Sequence, residues 1–245
     1  MTFCNINFNI KNTVDLFERL DENKTKLVIP TNAELIYVAN NSKKLYNIVN
    51  DNYVTFDGQV PYLAAKTVNR KYKDYNKLPG SHIVYNFCEF AKSHNYRIFF
   101  LGGNKENNDS AVKTIKEQYN INVEGYSPFF EDYPFSDQFN NKCLEKINIF
   151  KPDILFVGFG LPKQEYWISD QLIFLSNIGI KYAICCGGTI DFVSKRIKRA
   201  PVFIQKTGFE WLYRFFKEPK KIRLKRILGA FKFFKYISHK PDFQK

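Results

Sequence analysis

Histidine is scarce in this chain of 245 residues: His82, His94 and His239 are the only three. None stands in an HExxH pattern or pairs with cysteine at metal-ligand spacing, and no DxD occurs, so no metal site is expected. Cysteine is little used as well. Cys4, Cys88, Cys143, Cys185 and Cys186 are odd in number and form no CxxC, which argues against a disulfide framework and favours a reducing compartment. The adjacent Cys185 and Cys186 read as small hydrophobes closing a buried strand rather than as catalytic thiols. No run of about 18 apolar residues occurs, so no membrane-spanning helix is expected. The polar, Asn-rich start has no signal-peptide pattern, and a secretory leader is not expected. The 12 glycines form no GxGxxG, GxxxxGK[ST] or GxSxG. The signatures of dinucleotide binding, P-loop ATP chemistry and the serine-hydrolase elbow are thus missing.

What is present describes a soluble, core-forming protein: 44% hydrophobic and 25% charged residues, enough for one large domain or one domain plus an appendage. Asn and Lys are abundant, which reads as compositional rather than chemical, and no long-range repeat occurs. Charge is unevenly placed. Residues 195–245 hold 16 Lys/Arg against three acids (Glu210, Glu218, Asp242), whereas residues 1–194 balance 21 against 21, so the whole net charge of +13 sits in the last segment. A neutral body with a basic, aromatic tail indicates a docking device rather than general nucleic-acid affinity.

Along the body, strand and helix patterns alternate. Helices are expected over about 11–22, one continuous helix carrying Leu35 to Val49, then about 62–68, 83–93, 108–119, 138–150 and 163–176. Strands are expected over about 26–30, 53–56, 97–101, 122–125, 154–157 and 182–186. Such alternation predicts an α/β fold with a mostly parallel sheet and helices on both faces. Ligands bind such sheets beyond the carboxyl ends of the strands. Thr31/Asn32, Asp57, Gly102/Gly103, Gly158/Gly160 and Gly187/Gly188 all fall at such ends, with Asp191 close behind.

The segment Lys151–Trp167 (KPDILFVGFGLPKQEYW) shows the pattern most fully. A buried strand meets a glycine turn, Pro162 fits the first turn of a helix, and free backbone N–H groups with a positive helix end converge on a phosphate-sized point. Lys163, Gln164 and Glu165 would then stand beside the ligand. Alternatively the segment is an ordinary strand-to-helix turn. The chemistry available at the rim suits binding a nucleotide diphosphate through backbone N–H groups and deprotonating a hydroxyl with one carboxylate. Asp57 is the candidate base, its pKa raised by partial burial at a strand end, with Gly58 allowing close approach; Asp57-Gly58 as a simple turn is the alternative. Asp191 is the second candidate carboxylate, or a cap for the following turn.

The set T-N-A-E, D-G, L-G-G, P-D-I-L-F-V-G-F-G-L-P-K-Q-E-Y-W, G-G-x-x-D-F, K-R-A-P and G-F-E-W-L-Y-R-F-F-K-E-P resembles the WecG/TagA/CpsF glycosyltransferases, in family order from about residue 26 to 226. The resemblance implies inverting, metal-independent transfer of a sugar, typically N-acetylmannosamine, from UDP to an undecaprenyl-diphosphate-linked saccharide, toward teichoic acid, capsule or a similar glycan, with no cofactor. It implies that Asp57 is the base, that Asn32 is the amide of the T-x-N motif, and that Gln164 contacts substrate. Two departures touch sugar identity: Pro30 stands where the family has Thr, with Thr31 directly before Asn32. Lys77-Leu78-Pro79-Gly80-Ser81-His82 stands where the family has R-x-x-G-x-D, and lysine at 77 keeps the charge without bidentate geometry.

In the tail, Pro201 is expected to open a helix carrying Phe203, Trp211, Leu212, Phe215 and Phe216. From Lys220 a second helix would line up Leu224, Ile227, Leu228, Phe231 and Phe234 beside Arg223, Arg226, Lys232 and Lys235. Such helices suit an anionic membrane surface; an ordinary terminal helix packed on the core is the alternative. The resemblance favours docking, with Arg199, Arg214, Lys221 and Arg223 as candidate contacts to the lipid diphosphate. The expected organisation is a Rossmann-like body over 1–194 and a basic helical appendage over 195–245. The protein would be cytoplasmic, peripheral on the inner face of the plasma membrane, with no nucleic-acid partner; a homo-oligomer is compatible with the resemblance. A non-catalytic UDP-sugar-binding subunit of a glycan assembly complex is the alternative function.

Overall fold

A computed structural model describes residues 1–18, 24–194, 229 and 231–244, and the structural statements concern these residues. The chain opens with a two-stranded antiparallel hairpin, β1 (Thr2–Phe3) and β2 (Ile6–Asn7), whose turn residues Cys4 and Asn5 have φ of 49° and 64°, the positive pair a tight twisted hairpin demands. Then follow α1 (Thr13–Glu18), β3 (Lys26–Thr31), α2 (Ala33–Asn40), α3 (Lys43–Asn50), β4 (Tyr53–Phe56) and α4 (Gln59–Val68). After a 3-10 turn at Arg70–Asp74 come α5 (Gly80–His94), β5 (Ile98–Gly102), α6 (Lys105–Tyr119), β6 (Val123–Tyr126) and α7 (Asp137–Phe150). The series ends with β7 (Ile154–Gly158), α8 (Lys163–Asn177), β8 (Tyr182–Cys185), the short α9 (Thr189–Val193) and two 3-10 segments, Phe231–Ile237 and Asp242–Gln244.

Strands β3 to β8 form one six-stranded sheet in the order β4-β3-β8-β7-β5-β6, with β3/β8, β8/β7, β7/β5 and β5/β6 pairing in parallel. This is the α/β, Rossmann-like architecture expected from the alternation. The chain leaves β5 toward β6 and leaves β7 in the opposite direction, toward β8, so the carboxyl ends of β5 and β7 flank a point where the winding reverses. Connections diverge there and leave a crevice, the usual ligand position in open parallel sheets.

Local expectations change at several points, among them these. The single helix over Leu35–Val49 is two helices, because Asn41 ends α2 and Ser42 caps α3 with its hydroxyl, accepting from Leu45 N at 3.4 Å. The α6 helix starts three residues before the expected 108, because Asn104 caps it by accepting from Glu106 N at 2.9 Å. Pro162 is the residue before α8 rather than a first-turn residue, joined to Leu161 by a cis peptide bond.

The described residues fall into two compact units, with β3 divided between them at Ile29/Pro30. The first holds Met1–Leu16, Pro30–Pro79 and the described C-terminal residues. Its core is aromatic: Phe8 stacks on Phe56 at 3.7 Å, and Tyr72 meets Phe56 edge-on at 5.7 Å. Asparagine side chains cross-brace this unit. Asn5 Nδ2 donates to Asn40 Oδ1 (2.8 Å), Asn50 Oδ1 accepts from Asn7 N (2.7 Å), and Asn9 Oδ1 accepts from Val54 N (2.8 Å). The last 3-10 segments pack in this unit. Phe233 and Tyr236 are buried, whereas Phe231 and Phe234, expected on the apolar stripe, are 44% and 41% exposed. Within 3-10 geometry residues i and i+3 eclipse, so 233 and 236 share the inner face. Tyr236 OH donates to Asp242 Oδ2 at 2.7 Å, and Asn5 Nδ2 to the His239 carbonyl at 2.9 Å.

The second unit comprises Phe17–Ile29 and Gly80–Ile197, less its undescribed residues. The β5 and β7 strands, IFFLG and ILFVG, are buried almost throughout, the continuous apolar pattern of central parallel strands. Ile83, Val84, Phe87, Cys88 and Ala91 of α5 are buried at helical spacing.

Candidate functional site

In the first unit, two strand ends meet through the backbone: Asp57 N donates to the Thr31 carbonyl at 2.9 Å. Thr31 closes β3, one residue longer than expected, and is fully buried. Asn32 is the N-cap of α2, its Oδ1 accepting from Leu35 N at 3.0 Å, which leaves its Nδ2 group outside the cap. Asp57 is half-buried, held between the core residue Phe56 and Gly58. Gly58 has φ of +103°, and a Cβ placed there would lie 3.6 Å from Asn32 Cβ. Lys77 bridges to Phe56 in parallel register, and its Nζ donates to Gln59 Oε1 at 2.8 Å.

In the second unit the ends of β5, β7 and β8 converge. Gly103 N donates to the Gly158 carbonyl at 3.3 Å, and Cys186 N to the Val157 carbonyl at 2.9 Å. These approaches require glycine: a Cβ on Gly102 (φ +101°) would lie 2.9 Å from Gly158 O, and one on Gly158 would lie 2.8 Å from Gly187 O. Gln164 ties the turns together, its Oε1 accepting from Gly187 N at 3.0 Å and from Gly160 N at 3.3 Å. The expected free N–H groups of these two glycines are therefore engaged by a side chain. Glu165, expected beside the ligand, is fully buried, and its Oε1 accepts from Gln164 Nε2 at 2.9 Å. Burial raises the Glu165 carboxyl to about 7, against a smaller lowering by the Gln164 hydrogen bond. The same burial pushes the free thiols of Cys185 and Cys186 up, so neither is a thiolate nucleophile near neutral pH.

Gly188 precedes α9, a five-residue helix too short to show a period in sequence. Asp191 lies within α9, its Oδ1 accepting from Asn107 Nδ2 of α6 at 2.6 Å.

At the winding reversal beyond β5 and β7 lies a cavity of 460 Å³, within the usual size range for small-molecule sites. It is lined by the glycines Gly102, Gly103 and Gly158, by Asn104 and Ser127, and by the aromatic residues Phe129, Phe130, Phe135, Phe139 and Phe159. Phe159 leaves the glycine turn to join this wall, 5.4 Å from both Phe135 and Phe139 and edge-on to Trp167 at 5.6 Å. Lys163 lines the cavity, but its Nζ is already held: it donates to the Glu131 carbonyl at 3.0 Å, pairs with Asp132 at 3.1 Å and sits 4.1 Å from the Phe130 ring centre. The β6–α7 loop and Asn104 were missed as site residues. The aromatic density of residues 126–135 was the visible signal for the loop.

Among the described residues no group of three His, Cys, Asp or Glu could hold a metal ion, and no helix is long and apolar enough to cross a membrane. Arg199, Arg214, Lys221 and Arg223, and the expected helices through Leu228, lie outside the described residues.

The second unit thus holds a glycine-lined cavity at strand carboxyl ends, and the first unit holds a carboxylate and an amide at two strand ends of its own. An N-acetylglucosaminyldiphosphoundecaprenol N-acetyl-β-D-mannosaminyltransferase of Staphylococcus aureus strain MRSA252 is 27% identical over 203 residues, covering 82% of this chain and 76% of the relative. The protein of the same name from strain MW2 is 27% identical over 206 residues with the same coverage. The profile of the glycosyl transferase WecG/TagA/CpsF family matches residues 2–242, and the chain belongs to that family.

Proposed function

We propose that this glycosyltransferase moves N-acetylmannosamine or a related hexose from a UDP donor to an undecaprenyl-diphosphate-linked saccharide, with inversion and without a metal, in the assembly of a cell-surface glycan of teichoic acid or capsule type. The observation that carries the donor half is the glycine-lined cavity at the winding reversal, beside the starts of α6 and α8. Helix starts favour the negative charge of a diphosphate, and the aromatic wall offers a face to a planar base. The acceptor half rests on the names of the relatives.

In the proposed step the acceptor hydroxyl oxygen bonds to the anomeric carbon, the bond from that carbon to the UDP oxygen breaks with its electron pair, and Asp57 takes the hydroxyl proton. Asn32, through its Nδ2 group, and Lys77 orient substrate oxygens. Backbone dipoles and basic side chains stabilise departing UDP without Lewis-acid help. The basic segment of residues 195–245 holds the enzyme on the anionic inner membrane surface, with Arg199, Arg214, Lys221 and Arg223 toward the lipid diphosphate.

The test is a screen of UDP-sugars with a synthetic GlcNAc-diphosphate lipid acceptor, reading UDP release and product anomeric configuration, with and without chelator. UDP-N-acetylmannosamine should be turned over to a β-linked product in chelator. Retention of configuration, or dependence on added divalent metal, would remove the mechanism. Liposome co-sedimentation unchanged by deleting residues 217–245 would remove the docking role.

A further inference from the structure

Glu165 is fully buried on the first turn of α8, and among the described residues its Oε2 has no nitrogen or oxygen donor, only the weak Cys185 thiol lying against the carboxyl. Burying an ionisable group with capacity unused is costly, so the position must return something. Its other oxygen accepts from Gln164 Nε2 at 2.9 Å, while Gln164 Oε1 accepts from Gly187 N and Gly160 N at 3.0 and 3.3 Å. A carboxamide has two N–H donors and two acceptor lone pairs. Both lone pairs are spent on the glycine turns and one N–H on Glu165, leaving a single N–H. Flipping the amide would set its NH2 against two backbone donors and its oxygen against the carboxyl oxygen, so the orientation is locked from both ends.

We propose that Glu165 is a positioning residue: by holding the Gln164 carboxamide in one orientation, it keeps the Gly160 and Gly187 turns braced, and with them Gly158 of the cavity lining, on which a Cβ would lie 2.8 Å from Gly187 O. The braced turns thus set the backbone against which a donor in the cavity would pack, and this role rests on the UDP-sugar reading above. The titratable groups around Glu165 are few. The Cys185 thiol of β8 lies against the carboxyl, Cys186 adjoins Cys185 and is affected by Asp191 of α9, and β7 contributes none; among the described residues no ion pair reaches Glu165. The carboxyl, raised by burial to about 7, is mostly protonated at pH 6, and ionisation above 7 places an unpaired charge beneath the turns.

The experiment compares wild type, Glu165→Gln and Glu165→Leu. Donor KM and kcat are read by UDP release from about pH 5.5 to 8.5, UDP binding by calorimetry and folding by thermal melt. Glu165→Leu, which removes the acceptor for Gln164, should raise donor KM about tenfold or more. Glu165→Gln, which keeps an acceptor, should hold KM within about threefold and lose the limb near pH 7 seen in wild type. A folded Glu165→Leu with wild-type KM overturns the role. If Glu165→Leu does not fold, an identical limb near pH 7 in Glu165→Gln and wild type overturns it. Wild-type protein that binds no UDP defeats the donor reading and this role together, whereas UDP binding with unaltered variants defeats the role alone.

Discussion

The strand ends of the two units solve different problems. In the first unit the rim is made of side chains: Asn32 and Asp57 stand on turns held by the Asp57 N to Thr31 carbonyl bond, and Lys77 is tethered to Gln59. In the second unit the rim is made of backbone: Gly102, Gly103, Gly158, Gly160 and Gly187 bring main chains close, and the polar side chain among them, Gln164, turns inward to brace the turns. A side-chain rim can hold and move a proton. A backbone rim gives rigid, close-fitting dipoles suited to a diphosphate that must not shift during the reaction. On the proposed reading, chemistry and binding can thus be damaged separately.

The largest separation is expected at Asp57. Asp57→Asn should lower kcat about a thousandfold, within the usual contribution of a general base, while calorimetry finds UDP affinity and melting temperature near wild type. Turnover within a few-fold of wild type would move the proton transfer elsewhere. Next comes the pH dependence of stability, which sharpens the contrast because the buried Glu165 belongs to the backbone rim. Its carboxyl rises from the ordinary 4.5 to about 7 on folding. Below 4.5 both states hold the proton. Between 4.5 and 7 the unfolded chain releases it and the folded protein keeps it, so stability falls as pH rises, by roughly 3 kcal/mol in total, and is flat above 7. Denaturant titrations of wild type and Glu165→Gln should diverge across that window, the variant lacking this fall.

Gly158→Ala should cost about 2 kcal/mol of stability by overpacking, since the new Cβ would meet Gly187 O at 2.8 Å and Ile190 Cδ1 at 3.0 Å. It should also weaken UDP binding, the inverse of the Asp57→Asn outcome. The smallest effect belongs to Lys163→Ala. Its partly exposed pairing with Asp132 and Phe130 is worth about 1 kcal/mol or less, so the melting temperature should barely move. Limited proteolysis should show faster cleavage in the loop of residues 127–135.

The sheet was legible from short apolar runs punctuated by glycine, because buried parallel strands carry little but β-branched, aliphatic and aromatic residues between turns. The positions of Asn32, Asp57 and the glycine pairs at strand ends followed from the same punctuation. The break between α2 and α3 was not legible from apolar spacing, since Leu35 to Val49 keeps a helical period across it; only the Asn41-Ser42 cap geometry ends one helix and starts the next. Nor was the inner face of the last segment, because a helical period assigns Phe231 and Phe234 to the stripe that 3-10 geometry gives to Phe233 and Tyr236.

Local chemistry determined which residues stand at the rim: a glycine, an amide or a carboxylate after an apolar run marks a strand end whatever the surrounding fold. Tertiary structure alone decided what each one faces. Gln164 and Glu165 are neighbours in sequence with similar polar groups, yet one braces two glycine turns and the other is sealed beneath it with a raised pKa. That assignment depends on the packing of α8 beside β8 and on the approach of chain segments 23 residues apart, where Gln164 meets Gly187. Desolvation and hydrogen-bond satisfaction are set by such neighbours, which no local pattern encodes.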